Sequence, residues 1–539
     1  MATLKRSTWI LLIVAGGALA LRLALAAAQL PYHYQADEFQ VVERALRVGA
    51  GELNPGLFTW PGTLVIYLDF ALFAAYFVVS KLAGVAGDAA AFAALYWRDP
   101  GTFYFLGRAL SSAFGTAAVV AAARWARATS GPPAGWLAAG VVALAPAAIK
   151  ASAVALPDMA AVALGTASLA LGASYLREPK LRRFIAAAAL LGLGAAAKYH
   201  ILMYAPALFI CPLMATRERA ARAKALLIGA AAVVCAFVAA CPFAVLDFKT
   251  FAGDLALMAH RPGMARWAPR PLHFLGTTLP LTFSWPLVAL AVAGVVQLVR
   301  RRGKYALVVA VAAAPFLIVA LVRPFAPRLL LPLVPPLAVA AGWAAHALTE
   351  HANRHLKIVA VSVVAVLLAA ALSLDVGHVA WAWQEDTRTA AAQYIEAEIP
   401  LGSAVIIESL PPDVDGPPLW PMTTSLKRLI KYYREAGGGS PGRFGYFLKS
   451  PGYPFGHKAY DVYLVAEFDD FADAPRPSYA IRVLPDDADY FAEQGKPYGT
   501  SLAPWDKEYR EYLKEHGSPV KTFPGAGRPG PTVELYRLK

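Results

Sequence analysis

The chain has 539 residues, of which 58% are hydrophobic and only 16% charged. A soluble domain is nearer half apolar and a quarter charged, so a water-soluble globule is excluded and a polytopic α-helical membrane protein is indicated. The net charge of +14 does not mark a nucleic-acid surface, because the basic residues sit in short loops between apolar runs, where they act as topology signals.

The first apolar run, Trp9 to Ala28, follows Lys5 and Arg6. It is longer than a signal-peptide core and no small-residue cleavage pattern follows, so it is expected to be a retained anchor running outward from the cytoplasm. A polar stretch from Gln29 to Trp60 comes next. Within it, Asp37 to Val48 places Phe39, Val42, Ala45, Leu46 and Val48 at helical spacing, which predicts a short helix lying at the membrane interface. Asn54-Pro55-Gly56 breaks the chain. Gly62 to Leu82 is again apolar and long enough to span.

Ten further apolar runs follow: Phe105–Ala123, Ala134–Ala153, Met159–Leu176, Phe184–Ala197, Ile201–Met214, Leu226–Leu246, Leu275–Leu298, Tyr305–Val322, Leu329–Leu348 and Ile358–Leu374. If Gly62–Leu82 lies against the outer face, every dense basic loop becomes cytoplasmic, including Arg177 to Arg183, Arg217 to Lys224 and Arg300 to Lys304. If it spans, all of them fall outside. The positive-inside bias selects the first arrangement. The expectation is about 11 spans, a cytoplasmic N-terminus, a large first outer loop (residues 29–103) and a membrane domain over residues 1–379. Asp37, Glu38, Arg108, Asp158, Lys198, His200 and Arg328 then share the outer side.

From about residue 380 the composition shifts to proline, glycine, aspartate and tyrosine, and no spanning run remains. Thr387–Glu398 reads as an amphipathic helix, and Ala404–Glu408, Val462–Ala466 and Val533–Arg537 read as strands. Leu410–Trp420 and Gly437–Pro454 read as loop-rich. Residues 380–539 are therefore expected to form a small α/β domain outside the membrane. Cys211, Cys235 and Cys241 lack metal-ligand spacing and are expected to be free thiols.

Asp37-Glu38 carries the first chemical signal. Acidic residues in a first helical turn complement the helix dipole. Yet charge just past a span is costly unless used, and Tyr34, Phe39 and Trp60 nearby suit an interface or a sugar platform. A carboxylate beside an acceptor hydroxyl can remove its proton as a general base.

With Asp37-Glu38 in the first outer loop and Asn54-Pro55-Gly56-Leu57-Phe58-Thr59-Trp60-Pro61 after it, the chain resembles the polyprenyl-phosphate-sugar-dependent glycosyltransferases, among them the protein O-mannosyltransferases and the lipid A aminoarabinose transferases. The likeness continues through Gly107-Arg108-Ala109-Leu110-Ser111-Ser112-Ala113, Leu156-Pro157-Asp158, Lys198-Tyr199 and Pro327-Arg328-Leu329-Leu330-Leu331-Pro332, and ends near Asp386-Thr387-Arg388. It implies a GT-C type fold with surface-lying helices in the first outer loop. It further implies a polyprenyl-phosphate sugar as donor and an inverting single displacement, with Asp37 as base and Glu38 supporting it. The sugar and the acceptor, whether glycan, lipid or protein, are not implied.

Charge developing on the leaving phosphate needs preorganised cations. Lys198, flanked by Tyr199 and His200, either snorkels to the interface or binds that phosphate. Arg328 is either an interfacial anchor or a phosphate ligand. Arg108 opens a span, where a lone cation needs a partner, and is expected to pair with Asp37 or Glu38. Asp158 is either a helix cap or a second acid of the site. Arg261, beside His260 and near Trp267 and Arg270, belongs either to a solvated loop or to a cover over the donor phosphate. His33 and His200 could join carboxylates on a divalent metal, but no ligand spacing supports one, and no cofactor is indicated besides the polyprenyl-phosphate sugar as donor substrate. A competing class is a transporter or flippase for a lipid-linked or anionic solute. The absence of repeats and the gathering of polar groups at one side favour an enzyme.

Overall fold

The apolar runs are rich in alanine, leucine and glycine, and a helix satisfies every backbone group internally, which a bilayer requires. The computed structural model describes residues 2–32, 35, 37–59, 62–260, 271–300, 303–322, 327–351, 353–407, 460–464, 478–484 and 505–539. The helices in order are α1 (Ala2–Ala27), α2 (Glu38–Gly49), α3 (Thr63–Leu82), α4 (Ala89–Arg98), α5 (Gly101–Ser130), α6 (Pro132–Ala143), α7 (Pro146–Ser152), α8 (Asp158–Arg177), α9 (Leu181–Ala197), α10 (Ala205–Ala215), α11 (Arg219–Ala240), α12 (Phe243–Leu246), α13 (Phe248–His260), α14 (Pro271–His273), α15 (Leu279–Arg300), α16 (Lys304–Val322), α17 (Val334–His351), α18 (Arg354–Ala382), α19 (Thr387–Glu398) and α20 (Trp505–His516). Two 3-10 segments, Tyr199–Tyr204 and Pro327–Leu333, lead into α10 and α17.

By length and composition, nine helices among the described residues can cross a membrane, or ten if α6 and α7, bent by 62°, count as one span. The sequence reading expected eleven. Two of the runs counted there are the shorter ones: α9 has 17 residues, and the next run divides into a six-residue 3-10 segment and an 11-residue helix. Conversely α3, which charge counting leaves on the surface, has the length and composition of a span.

The chain forms two units. The first comprises Met1–Ala26, Asn54–Leu68 and Gly107–Val379. In it α8 packs on α9, α9 on α11, α6 on α17 and α15 on α17. Small residues set these approaches: a Cβ on Gly192 of α9 would lie 2.2 Å from the Val233 carbonyl of α11. The widest buried side chains here are Trp125, Trp343 and Arg22.

The second unit comprises Ala27–Leu53, Asp69–Leu106 and Ala380–Lys539, so it takes in most of the first loop along with the C-terminal residues. Helix α2 buries Val41, Val42, Ala45 and Val48. Val41 joins the buried face in place of Phe39 and Leu46, which are half-buried. Phe92 and Phe103 stack edge-on, with Phe73 and Tyr76 against Phe103. The predicted helix Thr387–Glu398 is α19, and its Asp386 cap accepts from the Arg388 amide. The C-terminal sheet has strands β1 (Ala404–Ile407), β2 (Asp461–Leu464), β3 (Tyr479–Leu484), β4 (Gly517–Phe523) and β5 (Thr532–Leu538) in the order β2-β1-β3-β5-β4. Pairing is parallel around β1 and antiparallel around β5. Ile406, Ala480 and Leu538 pack on Tyr509 and Leu513 of α20. Leu410–Trp420 and Gly437–Pro454, read as loops, lie outside the described residues.

Candidate active site

In the first unit the end of α9 and the start of α8 bring two opposite charges together. Lys198 follows α9 in extended conformation, which turns its side chain out of the helix axis. Asp158 is the first residue of α8, and its carboxylate does not cap the helix. Instead Lys198 Nζ donates to Asp158 Oδ1 at 2.6 Å, with the side chains 14% and 4% exposed. A pair this dry persists only when geometry offsets the loss of water. A lysine ammonium has three donors; one is engaged here by Asp158.

The 3-10 segment after Lys198 adds Tyr199 and His200. Gly165 of α8 lets it sit close, since a Cβ there would lie 2.5 Å from Ile201. Both His200 nitrogens and the Tyr199 hydroxyl are buried without a hydrogen-bond partner among the described residues. The His200 ring stands edge-on to Phe316 with centroids 6.3 Å apart. Tyr204 then donates to the Pro332 carbonyl and ties this segment to Pro327–Leu333, which carries Arg328. Arg328 is exposed, and its charge and that of Lys198 both act on Asp158. The structure thus brings together Asp158, Lys198, His200 and Arg328: two cations and one carboxylate, with buried polar groups whose hydrogen-bonding capacity is unspent. Such unspent donors suit an anionic ligand.

Other elements carry the remaining expected residues that the structure describes. Arg108 of α5 is 5% exposed and donates to the Ala26 carbonyl at 3.1 Å. Asp37 and Glu38 belong to the second unit. Asp37 is half-buried at the N-terminus of α2 and does not cap that helix, and Glu38 is fully buried. Trp60 and Arg261 lie outside the described residues. No group of three His, Cys, Asp or Glu side chains fit for a metal occurs among the described residues.

Two carboxylates that the sequence reading passed over hold the Asn54–Phe58 motif. Asn54 Nδ2 donates to Asp247 Oδ2 at 2.8 Å, and the Phe58 amide donates to Asp254 Oδ2 at 2.9 Å. The signal was their spacing of seven residues: Asp247 immediately precedes α13 and Asp254 lies within it, about two helical turns on. Hydrogen bonds, first from Thr250 and then from Asn54, hold the Asp247 carboxyl below its ordinary range.

Residues 100–244, which include Arg108, Asp158 and Lys198, match the family of dolichyl-phosphate-mannose-protein mannosyltransferases. No curated protein matches this sequence. Among solved structures, ArnT from Cupriavidus metallidurans bound to undecaprenyl phosphate superposes with a TM-score of 0.54 at 14% identity, over 98% of each chain. The same protein in the apo state gives a TM-score of 0.55, again at 14% identity and 98% of each chain. The Archaeoglobus fulgidus oligosaccharyltransferase tethered to an acceptor peptide gives 0.50 at 10% identity, over 97% of this chain and 74% of that one.

Proposed function

We propose that this chain, whose fold is that of the GT-C membrane glycosyltransferases, moves a sugar from a polyprenyl-phosphate carrier to an acceptor hydroxyl on the outer face of the cytoplasmic membrane. The observation that carries this reading is the Lys198–Asp158 pair with Arg328 beside it and His200 unpartnered. It is a cationic cluster in a fold shared with a solved structure that holds undecaprenyl phosphate. The distribution of basic loops supports a cytoplasmic N-terminus and an extracytoplasmic C-terminal domain.

In this reading Lys198 and Arg328 bind the lipid phosphate, with Tyr199, His200, Arg108, Trp60 and Arg261 in supporting contacts. Asp158 orients Lys198. Asp37 is the base, helped by Glu38. The acceptor oxygen attacks the anomeric carbon, its proton passes to Asp37, and the bond from that carbon to the lipid phosphate oxygen breaks. The electron pair leaves with the phosphate, whose charge rises in the transition state, so a fixed cation there lowers the barrier more than it strengthens ground-state binding. The product is inverted at the anomeric carbon.

The bent pair α6–α7 favours a transporter, since transporters use broken helices at their sites. One experiment separates the two. In proteoliposomes with labelled polyprenyl-phosphate sugar and membrane acceptors, Asp37→Asn is expected to cut transfer by about 10²–10⁴-fold, the usual worth of a general base. Transfer at the wild-type rate would overturn the base assignment. Movement of label across the bilayer without transfer would overturn the enzyme reading.

A further inference from the structure

Arg22 of α1 is fully buried, in a helix long and apolar enough to span, where an arginine is costly unless it is paired and hydrogen-bonded. Its side chain meets four acceptors: Nε donates to Ser152 Oγ, Nη1 to the Ala18 and Ala143 carbonyls, and Nη2 to the Val142 carbonyl, all at 3.1 Å. Asp375 of α18, 5% exposed, supplies the opposite charge.

These acceptors are not a random set. Val142 and Ala143 end α6 where the chain bends into α7. In a continuous helix the Val142 carbonyl would accept from residue 146, but that residue is a proline and has no N–H. Arg22 fills the break. Ser152, its fourth acceptor, ends α7, and the five residues after it lead to Asp158. One face of α5 holds that connection. Ser112 Oγ donates to the Ser152 carbonyl at 2.8 Å, and Ser111 Oγ donates to the Leu156 carbonyl at 3.0 Å. One turn further, Gly115 leaves the room they need: a Cβ there would lie 2.1 Å from Ser152 Oγ and 2.8 Å from Arg22 Nε. Arg108, Ser111, Ser112 and Gly115 form a single stripe at helical spacing.

We propose that Arg22 is a positioning residue for Asp158: it locks the α6–α7 break and, through Ser152 and the Ser111–Ser112 face of α5, fixes the point from which Asp158 meets Lys198. This rests on the phosphate role proposed for Lys198. Arg22 itself touches no substrate. Its effect on the reaction runs through the placement of the Lys198 ammonium, which matters most where phosphate charge develops.

The test uses the full chain in detergent or nanodiscs, with labelled polyprenyl-phosphate sugar as donor. Arg22→Gln is expected to lower kcat by about tenfold or more with the donor KM changed less than about threefold, the pattern of an interaction felt in the transition state. Arg22→Lys keeps the charge opposite Asp375 but lacks the fork, so it is expected to restore the melting temperature and leave kcat low. Ser112→Ala, milder and spared any risk of misfolding from a lost charge, is expected to lower kcat about threefold while the protein stays folded. Wild-type kcat in folded Arg22→Gln or Ser112→Ala would overturn the proposal, as would Arg22→Lys restoring kcat together with stability.

A second arm needs no activity. If the network joins the two sites, the melting shifts of Arg22→Gln and Lys198→Met are expected to fall short of additivity in the double variant, by about 2 °C or more. Additive shifts would overturn the proposal. This arm keeps its meaning even if no transfer is found and the glycosyltransferase reading fails.

Discussion

Two buried cations in the first unit, Arg22 and Lys198, differ in how completely they are answered. A guanidinium has five N–H donors; Arg22 directs its three nitrogens at four acceptors from α1, α6 and α7, with Asp375 as countercharge. Lys198 has one hydrogen-bonded carboxylate, and next to it His200 has two nitrogens with no partner among the described residues. A charge with four of its five donors engaged holds the fold in one geometry. An unsaturated one, dry and clustered with other donors, is left for something the chain does not itself contain. Burial does not separate the two residues, since both are largely withdrawn from water. The count of unspent donors does.

Removing the unsaturated charge is the strongest way to break this contrast. Lys198→Met is expected to lower transfer by about 10²–10³-fold, the worth of one preorganised charge donor at a developing anion. Alone it also strands Asp158, and breaking one side of a buried pair costs about 3–5 kcal/mol; the 14% exposure of Lys198 and the nearby Arg328 place this case at or below the lower end. Adding Asp158→Asn removes the stranded charge. The double variant is expected to regain the melting temperature but none of the activity, measured by calorimetry beside the transfer assay. Recovery of both would make the pair a structural one, like Arg22.

The membrane architecture was legible because apolar runs and basic loops are long-range signals that survive local error. The small helix Thr387–Glu398 was legible because its capping aspartate and period both point to it. Asp158, Lys198 and Arg328 could be put on one side of the membrane by counting charges, but their meeting depends on a 3-10 turn tied by Tyr204 to Pro332, 128 residues away. Nothing local encodes such a contact. Arg22 was passed over for a related reason. A single arginine within an apolar run reads as tolerated noise until the proline that opens α7 is seen to leave a carbonyl for it to meet. The division of Ile201–Met214 into a 3-10 segment and an 11-residue helix escaped the hydropathy pattern, because the run stays apolar throughout while its geometry changes.

Crowding Arg22 tests the other half of the contrast. Gly115→Ala places a methyl within 2.1 Å of Ser152 Oγ, and overpacking of this kind costs about 1–3 kcal/mol. A lowered melting temperature is expected, together with a reduced kcat if Ser152 is displaced toward Leu156. A melting temperature equal to wild type would mean that the α5 face yields, and that the close approach does not fix the Asp158 connection.

The smallest effect, and the one with opposite signs, belongs to His200. Its imidazole is buried with both nitrogens unpartnered, a burden of about 1–3 kcal/mol for a polar group in dry surroundings. His200→Phe keeps the edge-on contact with Phe316 and removes that burden. The melting temperature is therefore expected to rise by the equivalent of about 1 kcal/mol or less, since the larger ring needs some repacking. The donor KM is expected to rise about three- to tenfold, the loss of one modest hydrogen bond to a charged ligand. Stability gained while affinity is lost is the signature of a residue kept for a ligand. A fall in both would show that His200 is answered from within the protein, as Arg22 is, and that unspent donors do not locate the site.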